Sequence, residues 1–359
     1  MDEFFNGAAR ILVTGGAGFI GCNLVRHLLD ATPVRVLNVD KLVFPGCRAN
    51  LEDFENNQRH QFEQMDVGDT RALNKLFREF RPTAVMHLAA ESHVDRSIDA
   101  PDAFVDSNIR GTFSLLEAVR TYLHAASARQ SFRFLHISTD EVHGSLGPGD
   151  AAFTESTPYR PNSPYAASKA AADHLARAWH HTYGLPIVTS NCSNNYGPRQ
   201  FPEKLIPLTI LKALRGEPIP VYGAGANVRD WLYVRDHVRA LCSILARGKS
   251  GERYNVGGNS ERRNIDVVRA ICAILDELRP SERGESHARL ISYVADRPGH
   301  DFRYAINSDK LRAELGWTPA VDFDAGLRRT VEWYVNHQDW CVAVMHDTYQ
   351  GQRLGLAAQ

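Results

Sequence analysis

The fold is decided near the start of the chain by Ile11-Leu12-Val13-Thr14, which runs directly into Gly15-Gly16-Ala17-Gly18-Phe19-Ile20-Gly21. A run of apolar and β-branched residues is typical of a strand buried on both faces of a parallel sheet. The closely spaced glycines predict a tight turn into a helix, which we place at Cys22–Asp30. This stretch therefore predicts a strand, a glycine turn and a helix.

The same alternation continues through the first half of the chain. Further strands are predicted at Val34–Asp40, Gln61–Asp66, Thr83–Ala89, Phe132–Thr139 and Pro186–Ser190, and two long helices at Ala103–His124 and Tyr165–Tyr183. Strands that alternate with helices indicate an α/β fold, a Rossmann-type doubly wound parallel sheet with helices on both faces. Ligands of such sheets bind at the carboxyl ends of the strands.

The length of the chain predicts two lobes. Single hydrophobic cores stop growing at roughly 250–300 residues, and this chain has 359. The alternation breaks after Asn191, where prolines become frequent. We predict a dinucleotide-binding domain over residues 1–190 with a return segment over 229–258, and a smaller α/β C-terminal lobe over 191–359 that mainly binds the substrate.

Composition excludes several classes of partner. The chain is 43% hydrophobic and 23% charged with a formal net charge of -1, so no global field attracts nucleic acid or an anionic membrane. The six cysteines are scattered singly, which predicts no metal site and fits a reducing compartment. No apolar run approaches the roughly 20 residues that span a bilayer. We therefore expect a cytoplasmic protein without a membrane anchor.

The glycine turn predicts a dinucleotide cofactor. Gly15, Gly18 and Gly21 permit a tight turn and let backbone approach a pyrophosphate at a helix N-terminus. Asp40, at the end of the second strand, is placed to accept hydrogen bonds from the adenosine ribose. Its negative charge would repel the 2′-phosphate of NADP, which favours NAD. The positive charge of the adjacent Lys41 would weaken that preference. The alternative is a glycine-rich turn that binds no ligand.

The ends of the third and fourth strands supply further cofactor candidates. Asp66 either meets the adenine or serves as a turn or cap residue. Small residues follow the fourth strand, as required where backbone passes close to a cofactor. The candidates from the glycine turn and these strand ends are Gly15, Gly18, Phe19, Ile20, Gly21, Asp40, Lys41, Asp66, Val67, Leu88, Ala89 and Ala90.

A tyrosine and a lysine one helical turn apart form the first catalytic candidate. Tyr165 and Lys169 share one face of a predicted helix because they are four positions apart. A nearby ammonium favours the phenolate, which would make the tyrosine a usable general base, and the lysine can also hold ribose hydroxyls. The alternative is a solvated helix face.

Two neighbouring carboxylates form the second catalytic candidate. Thr139, Asp140 and Glu141 follow the fifth predicted strand directly. Adjacent carboxylates in a low-dielectric cleft cannot both ionise freely, so one keeps a proton and the pair supplies one acid and one base. The alternative is a helix cap in which the acids only satisfy backbone amides.

Together these features resemble the extended short-chain dehydrogenase/reductase superfamily and, more narrowly, the dTDP-glucose 4,6-dehydratases. The resemblance covers nearly the whole chain. It is carried by Gly15–Gly21, Ala89–Ser97, Ser138–Val142, Tyr165–Lys169, Asn194–Pro198, Phe201–Pro207, Arg229–Val234 and Arg297–Asp301.

The resemblance implies dehydration of dTDP-glucose with NAD as a catalytic cofactor that is regenerated in each cycle. Tyr165 would take the proton of the sugar 4′-hydroxyl, and Thr139 would hydrogen-bond the same oxygen. Glu141 would remove the C5′ proton, and Asp140 would protonate the departing C6′ hydroxyl. A homodimer formed through the helices at Ala103–His124 and Tyr165–Tyr183 is also implied.

Further site residues are carried over from the resemblance. On the cofactor side these are Ser107 and Asn195. On the substrate side they are Ser92, Thr139, Asn194, Lys204, Leu205, Pro220, Tyr222, Arg229, Asn264, Arg297 and His300, among which the cationic side chains suit a diphosphate.

The chain departs from the family pattern at two positions. His143 stands where the family usually has tyrosine, and Asn307 where it usually has aspartate. His143 follows the carboxylates so closely that it would be able to alter their titration. Three competing functions are a 4-epimerase on the same scaffold, a 4,6-dehydratase of UDP-glucose, and an NAD-binding protein without catalysis.

Overall fold

The predicted alternation of strands and helices is present in the structure. A computed structural model describes residues 3–43, 47–125, 132–281, 284–296 and 299–345. Its strands are β1 (Arg10–Thr14), β2 (Arg35–Asp40), β3 (His60–Gln64), β4 (Ala84–His87), β5 (Arg133–Thr139), β6 (Ile187–Cys192), β7 (Asn194–Tyr196), β8 (Ile219–Tyr222), β9 (Val228–Tyr233), β10 (Arg253–Val256), β11 (Glu261–Arg263) and β12 (Ile291–Val294).

The helices lie between these strands and after them. They are α1 (Phe19–Ala31), α2 (Thr70–Phe80), α3 (Val94–Asp99), α4 (Pro101–Phe104), α5 (Gly111–Ala125), α6 (Pro164–Tyr183), α7 (Leu205–Leu214), α8 (Val234–Arg247), α9 (Asn264–Leu278), α10 (Asp309–Leu315), α11 (Phe323–Asn336) and α12 (Gln338–Met345). None of the helices in the described part of the chain is long and apolar enough to cross a membrane.

A seven-stranded sheet in the order β10-β6-β5-β4-β1-β2-β3 is the scaffold of the cofactor lobe. All of its strand pairs are parallel. The chain leaves β1 toward β2 and β3, and then continues on the other side of β1 with β4. Ligands of open parallel sheets bind where the strand order reverses in this way, so the carboxyl ends of β1 and β4 are where a site is expected. The predicted Rossmann-type fold is confirmed.

Alternating side chains of β1 build the cores on the two faces of this sheet. Ile11 and Val13 pack with residues of α1 and α8 on one face, and Leu12 packs with residues of α2 and α5 on the other. All three side chains are fully buried. Successive residues of a strand point to opposite faces, so a short apolar run supports both layers of helices.

The second lobe has its own core and two small sheets. Strands β11, β9 and β7 form one sheet, and β12 pairs with β8 in the other. Helices α7, α9 and α11 pack over a core that includes Tyr196, Trp231 and Tyr334. The strands of this lobe are short, with three to six residues each, so they give a weaker pattern in the sequence than those of the first half.

Apart from shifts of one to three residues at the ends of elements, two predicted segments differ in the structure. The predicted helix at Ala103–His124 is divided into α4, a π-helical segment at Val105–Arg110, and α5. The segment at 229–258 returns to the large sheet through α8 and β10, while β9 belongs to the small sheet. Periodicity alone does not reveal which sheet a short strand joins, because pairing depends on distant residues.

Candidate active site

The glycine turn after β1 is packed so closely that side chains cannot be added. Gly15 has a positive φ of 75°, and a Cβ there would lie 2.6 Å from the backbone nitrogen of Ala89. A Cβ on Gly21 would lie 2.1 Å from the carbonyl oxygen of Gly15. The backbone of the turn is therefore held against the end of β4 and the start of α1, as a pyrophosphate cradle at a helix N-terminus requires.

Asp40 fixes this turn from the end of β2. Its carboxylate accepts hydrogen bonds from the backbone amides of Ala17 at 3.0 Å and Leu42 at 2.9 Å. Burial raises the pKa of Asp40, and these two hydrogen bonds act in the opposite direction. The side chain also lines the cavity described below, so it is able to support the turn and still face a ribose.

Asp66 occupies a turn beyond the end of β3. Its carboxylate accepts a hydrogen bond from the backbone amide of Gly68 at 2.7 Å. It is not part of the cavity wall, whereas the neighbouring Val67 is. The geometry favours the turn interpretation of Asp66 over an adenine contact.

A cavity of about 290 Å³ opens at the carboxyl ends of the sheet, next to the glycine turn. It brings together all five predicted catalytic residues and every predicted cofactor residue except Asp66. Those on its wall are Gly15, Gly18, Phe19, Ile20, Gly21, Asp40, Lys41, Val67, Leu88, Ala89, Ala90, Ser107, Thr139, Asp140, Glu141, Tyr165, Lys169 and Asn195.

The end of β5 positions the threonine and the two carboxylates. Thr139 is the last residue of the strand, and its hydroxyl accepts a hydrogen bond from the backbone amide of Glu141 at 3.3 Å. The same hydroxyl donates to the Asp140 carboxylate at 3.4 Å. Thr139 thus caps the short 3-10 helix at Asp140–His143, and neither acid is needed as its cap.

Asp140 has the surroundings of a carboxylic acid that keeps its proton. It is only 1% exposed. Burial raises its pKa well above the usual range, and the neighbouring carboxylates of Glu141 and Asp230 add to this. Glu141 is more accessible, and both residues face the cavity. The pair therefore offers one protonated and one accessible carboxyl group.

Tyr165 and Lys169 both face the cavity from α6. Burial raises the pKa of Tyr165 well above its usual value, and the Glu141 carboxylate adds to this. The Lys169 ammonium donates to the carbonyl oxygen of Ile137 at 2.7 Å, and burial lowers its pKa.

Asp173, which the sequence did not single out, organises the buried layer behind the site. Its carboxylate accepts hydrogen bonds from Ser138 at 2.9 Å and Tyr159 at 2.6 Å, and contacts the His136 ring nitrogen at 2.9 Å. Burial opposes its ionisation, but His136 and Lys169 outweigh that effect and lower its pKa to about 2. Asp173 is thus a buried anion one helical turn after Lys169.

The predicted substrate residues divide into two sets. Ser92, Thr139, Asn194 and Lys204 line the cavity. Leu205, Pro220, Tyr222, Arg229, Asn264 and His300 are not on its wall, and Arg297 lies outside the described residues.

Arg229 is held by the second lobe. Its guanidinium donates to the carbonyl oxygens of Val228 at 2.7 Å and Asp301 at 2.9 Å, and it lies 4.3 Å from the ring centre of Tyr304. Its positive charge nonetheless acts to lower the pKa of Asp140, against the larger effect of burial. The residue therefore influences the acid electrostatically while its donors serve the loop.

Residues of the cavity wall that were not predicted from the sequence include Asn50, Arg199 and Trp340. The side-chain amide of Asn50 donates to the backbone carbonyl oxygen of Ala17 at 2.8 Å and accepts from the indole nitrogen of Trp340 at 3.1 Å. The backbone carbonyl oxygen of Asn50 accepts from the guanidinium of Arg199 at 3.1 Å. Arg199 directly follows the Asn194–Pro198 motif, so extending that motif by one residue would have found it. Asn50 and Trp340 carry no local signal because they are far apart in the chain.

His143 is buried away from the two carboxylates. Its ring packs against Phe153 and Tyr159, with centroid distances of 5.0 and 5.1 Å. Burial lowers its pKa to about 4, so the ring is neutral near pH 7. A neutral ring adds no charge to the titration of Asp140 and Glu141.

This placement of His143 predicts a loss of stability in acid. A buried histidine with a lowered pKa stabilises the fold fully above its unfolded pKa of 6.5 and progressively less as the pH falls toward 4. The cost at pH 5 is roughly 2 kcal/mol. Urea unfolding of His143→Phe should show a smaller decrease in stability between pH 7 and pH 5 than the wild type. An equal decrease in both proteins would contradict the placement.

Three comparisons identify known proteins that this chain resembles. The sequence profile of the GDP-mannose 4,6-dehydratase family matches residues 12–330. A dTDP-glucose 4,6-dehydratase of Xanthomonas campestris pv. campestris (strain B100) is 57% identical over 349 residues, which cover 97% of this chain and 99% of that protein. These matches extend through both lobes.

Solved structures share the fold and differ in their reactions. A Streptomyces venezuelae dTDP-glucose 4,6-dehydratase with NAD and dTDP bound is 43% identical, with a TM-score of 0.84 and coverage of 93% of this chain and 99% of that one. A UDP-glucose 4-epimerase of Thermus thermophilus in complex with NAD is 32% identical, with a TM-score of 0.80 and coverage of 91% and 99%.

Proposed function

The chain belongs to the GDP-mannose 4,6-dehydratase family, and from that membership we propose that it is a hydro-lyase converting dTDP-glucose to dTDP-4-keto-6-deoxyglucose. The observation that supports this most directly is the position of Asp140, a carboxyl group on the cavity wall that is 1% exposed and whose pKa burial raises well above the usual range, beside the more accessible Glu141. Removal of water across C5′ and C6′ needs such an acid and such a base.

NAD is the cofactor that the site fits. The glycines of the turn at Gly15–Gly21 leave its backbone accessible to a pyrophosphate. The carboxylate of Asp40 lines the cavity next to this turn, where it would contact the adenosine ribose. When bound, NAD would supply a hydride acceptor for C4′ and, once reduced, a hydride donor for C6′, so there would be no net redox change. Tyr165 and Lys169 would face its reactive end from α6.

Each catalytic side chain then has one proton-transfer task. Tyr165 accepts the proton of the 4′-hydroxyl, and Thr139 hydrogen-bonds the same oxygen. Glu141 removes the C5′ proton, which the 4-keto group makes acidic. Asp140 gives its proton to the departing C6′ hydroxyl. The cavity supports these roles because all four side chains line it.

The glycine turn gives a direct test of cofactor binding. In Gly21→Ala the new Cβ would meet the Gly15 carbonyl oxygen at 2.1 Å, so the turn must shift away from the pyrophosphate position. We expect NAD affinity, measured by calorimetry, to fall about tenfold or more, and stability to fall by about 1–3 kcal/mol. Gly149→Ala is the matched control, because apart from Gly149 and its two chain neighbours no atom of the described residues lies within 4 Å of its Cβ position. Unchanged NAD affinity in Gly21→Ala would count against the cradle.

A single assay separates the dehydratase from the competing functions. The protein is incubated with dTDP-glucose, and the alkali-induced absorbance of a 4-keto-6-deoxy sugar is measured. Formation of a galactose nucleotide without that chromophore would indicate a 4-epimerase. Absence of turnover with any sugar nucleotide would indicate a binding protein. The 57% identity to a dehydratase and 32% identity to an epimerase favour the first outcome.

The preference for thymine over uracil is tested by measuring kcat/KM with dTDP-glucose and with UDP-glucose under the same conditions. Thymine and uracil differ by one methyl group, and such a difference in an apolar pocket is worth about 1–3 kcal/mol. We expect kcat/KM to be roughly 10 to 200 times higher for dTDP-glucose. Equal values would assign the protein to both substrates.

We propose that the protein is a homodimer formed through α5 and α6. Phe113 is 43% exposed and Tyr183 is 41% exposed, although both are large and apolar. Both rings contact Trp179, with centroid distances of 5.7 and 5.5 Å, so they form one aromatic surface across the two helices. Clustered exposed aromatic residues are typical of interaction sites.

Light scattering tests this dimer. We expect twice the mass of one chain for the wild type and for Tyr293→Glu, which alters an exposed aromatic residue elsewhere on the surface. Phe113→Glu should yield monomers because it places a charge in the aromatic surface. A monomeric wild type, or a dimer that survives Phe113→Glu, would contradict the proposed surface.

A cytoplasmic location is proposed from the thiols. All six cysteines are free, and five of them are buried. Disulfides are rare in reducing compartments, so free thiols fit the cytoplasm. Fractionation of cells that express the chain would test this location.

A further inference from the structure

Ala17, in the middle of the glycine turn, is fixed through both of its backbone polar groups. Its amide donates to the Asp40 carboxylate at 3.0 Å, and its carbonyl oxygen accepts from the side-chain amide of Asn50 at 2.8 Å. The backbone amide of Cys47 also donates to this carbonyl oxygen, at 3.3 Å. The position of the pyrophosphate cradle therefore depends on Asn50 as well as on the glycines.

Asn50 is in turn held by the second lobe. Its side-chain oxygen accepts from the indole nitrogen of Trp340 in α12 at 3.1 Å, and its backbone carbonyl oxygen accepts from the guanidinium of Arg199 at 3.1 Å. Asn50 is only 2% exposed, so water does not readily compete for these hydrogen bonds. Both ends of its side-chain amide are thus engaged, one by the glycine turn and the other by α12.

The segment that contains Arg199 is anchored to the cofactor lobe. Arg199 has a φ of 70°, which residues with a side chain rarely adopt and which persists only where surrounding contacts hold it. Its guanidinium pairs with the Asp53 carboxylate, which also pairs with Arg26 of α1. The carbonyl oxygen of Pro198 accepts from the side-chain amide of Asn23, also in α1, at 3.1 Å. The two lobes are therefore joined beside the glycine turn.

The proposed reaction requires a cofactor that stays bound. The hydride taken from C4′ is returned to C6′ of the same sugar, so loss of the cofactor between the two steps would leave the reaction unfinished. Both lobes contribute to the cavity wall near the glycine turn, with Asn50 from the first and Arg199, Phe201, Trp340 and Val344 from the second. A cofactor in the cavity would therefore lie between the lobes where they are joined.

We propose that Asn50 is a positioning residue for NAD, which keeps the pyrophosphate cradle in place while Arg199 and Trp340 of the second lobe hold it. We call these three residues the clasp. Opening of the clasp frees the glycine turn and lets NAD leave, so NAD release is slow as long as the lobes are joined at this point. This inference rests on the proposed function, because it takes NAD as the cofactor.

Release of NAD is measured in Trp340→Phe, which keeps an aromatic ring in α12 but cannot donate to Asn50. The protein is loaded with radiolabelled NAD and chased with unlabelled NAD, and the label that stays bound is followed over time. We expect release to be about fivefold faster than in the wild type, as for the loss of one hydrogen bond. Asn50→Ala loses both side-chain hydrogen bonds and should release NAD about thirtyfold faster.

Trp317→Phe is the matched control. The Trp317 indole also donates one hydrogen bond, to the backbone carbonyl oxygen of Asp236 at 3.2 Å, but neither of these residues lines the cavity. Its NAD release should occur at the wild-type rate. Equal acceleration in Trp317→Phe and Trp340→Phe would overturn the proposal, because the effect would then be a general loss of stability.

Binding of dTDP separates a cofactor role of the clasp from a displaced second lobe. Calorimetry should give the same Kd for dTDP in Trp340→Phe and in the wild type, because the hydrogen bonds of the clasp lead to the glycine turn and not to a predicted substrate residue. Weaker dTDP binding together with faster NAD release would overturn the proposal. Release at the wild-type rate in Trp340→Phe would also overturn it, whether or not Asn50→Ala folds.

The proposed function is judged separately, on the wild type with dTDP-glucose. If the wild type keeps NAD but forms no 4-keto-6-deoxy product, the function is wrong and NAD release still tests the clasp. If the wild type forms product and the variants release NAD as it does, only the clasp is wrong.

Discussion

Replacing Glu141 by glutamine is expected to stop the reaction after the first oxidation. Glutamine keeps the size of the side chain but cannot accept the C5′ proton, so water cannot be eliminated. We expect dehydration to slow by about 10²- to 10⁴-fold, the usual contribution of a positioned general base. Bound NADH should accumulate, because the oxidised sugar cannot proceed and NAD is not regenerated.

Stopped-flow absorbance of the reduced nicotinamide, recorded together with the 4-keto-6-deoxy assay, checks this result. Glu63→Gln removes one exposed carboxylate from β3 and should behave like the wild type. If Glu141→Gln dehydrates at the normal rate, another group removes the C5′ proton. If it neither dehydrates nor forms NADH, Glu141 is needed for binding or for the first step.

Replacing Tyr165 by phenylalanine is expected to stop the reaction one step earlier. Phenylalanine fills the same volume in α6 but has no oxygen to accept the 4′-hydroxyl proton. The first oxidation should slow by about 10²- to 10⁴-fold, and no NADH should accumulate. The opposite behaviour of NADH in the two variants would assign Tyr165 to oxidation and Glu141 to elimination.

Tyr159→Phe is the matched control for Tyr165→Phe. Tyr159 is also a largely buried tyrosine, and its hydroxyl donates to Asp173, but it is not on the cavity wall. Loss of that hydrogen bond should lower the free energy of unfolding by about 1 kcal/mol and leave the first oxidation unchanged. If the first oxidation slows by the same factor in both variants, the effect of Tyr165→Phe is structural rather than catalytic.

The sequence predicted well the features that depend on neighbouring residues. A buried strand needs an apolar run, and a tight turn beneath a pyrophosphate needs glycine, so Gly15 and Gly21 were identifiable from local order. The placement of Asp140 at the end of β5 was equally accessible, since a strand end in a parallel sheet faces the ligand. These signals indicated the Rossmann-type fold and most of the cavity wall.

Features that depend on distant residues were not predictable from the sequence. Burial raises the pKa of Tyr165, and the ammonium of Lys169 donates to the carbonyl oxygen of Ile137 on a neighbouring strand. His143 is close enough in sequence to alter the titration of the carboxylates, but the fold packs its ring into an aromatic cluster. Burial and hydrogen-bond partners are set by tertiary contacts.

The order of the amino acids was enough to establish which groups are present, the class of fold and the edge of the sheet where they meet. The electrostatics of that edge came from folding, including the raised pKa of Asp140, the lowered pKa of Asp173 behind it and the hydrogen bond from the Thr139 hydroxyl to Asp140. Proton affinities depend on desolvation and on charges brought close by folding, and neither is encoded in the local pattern of residues.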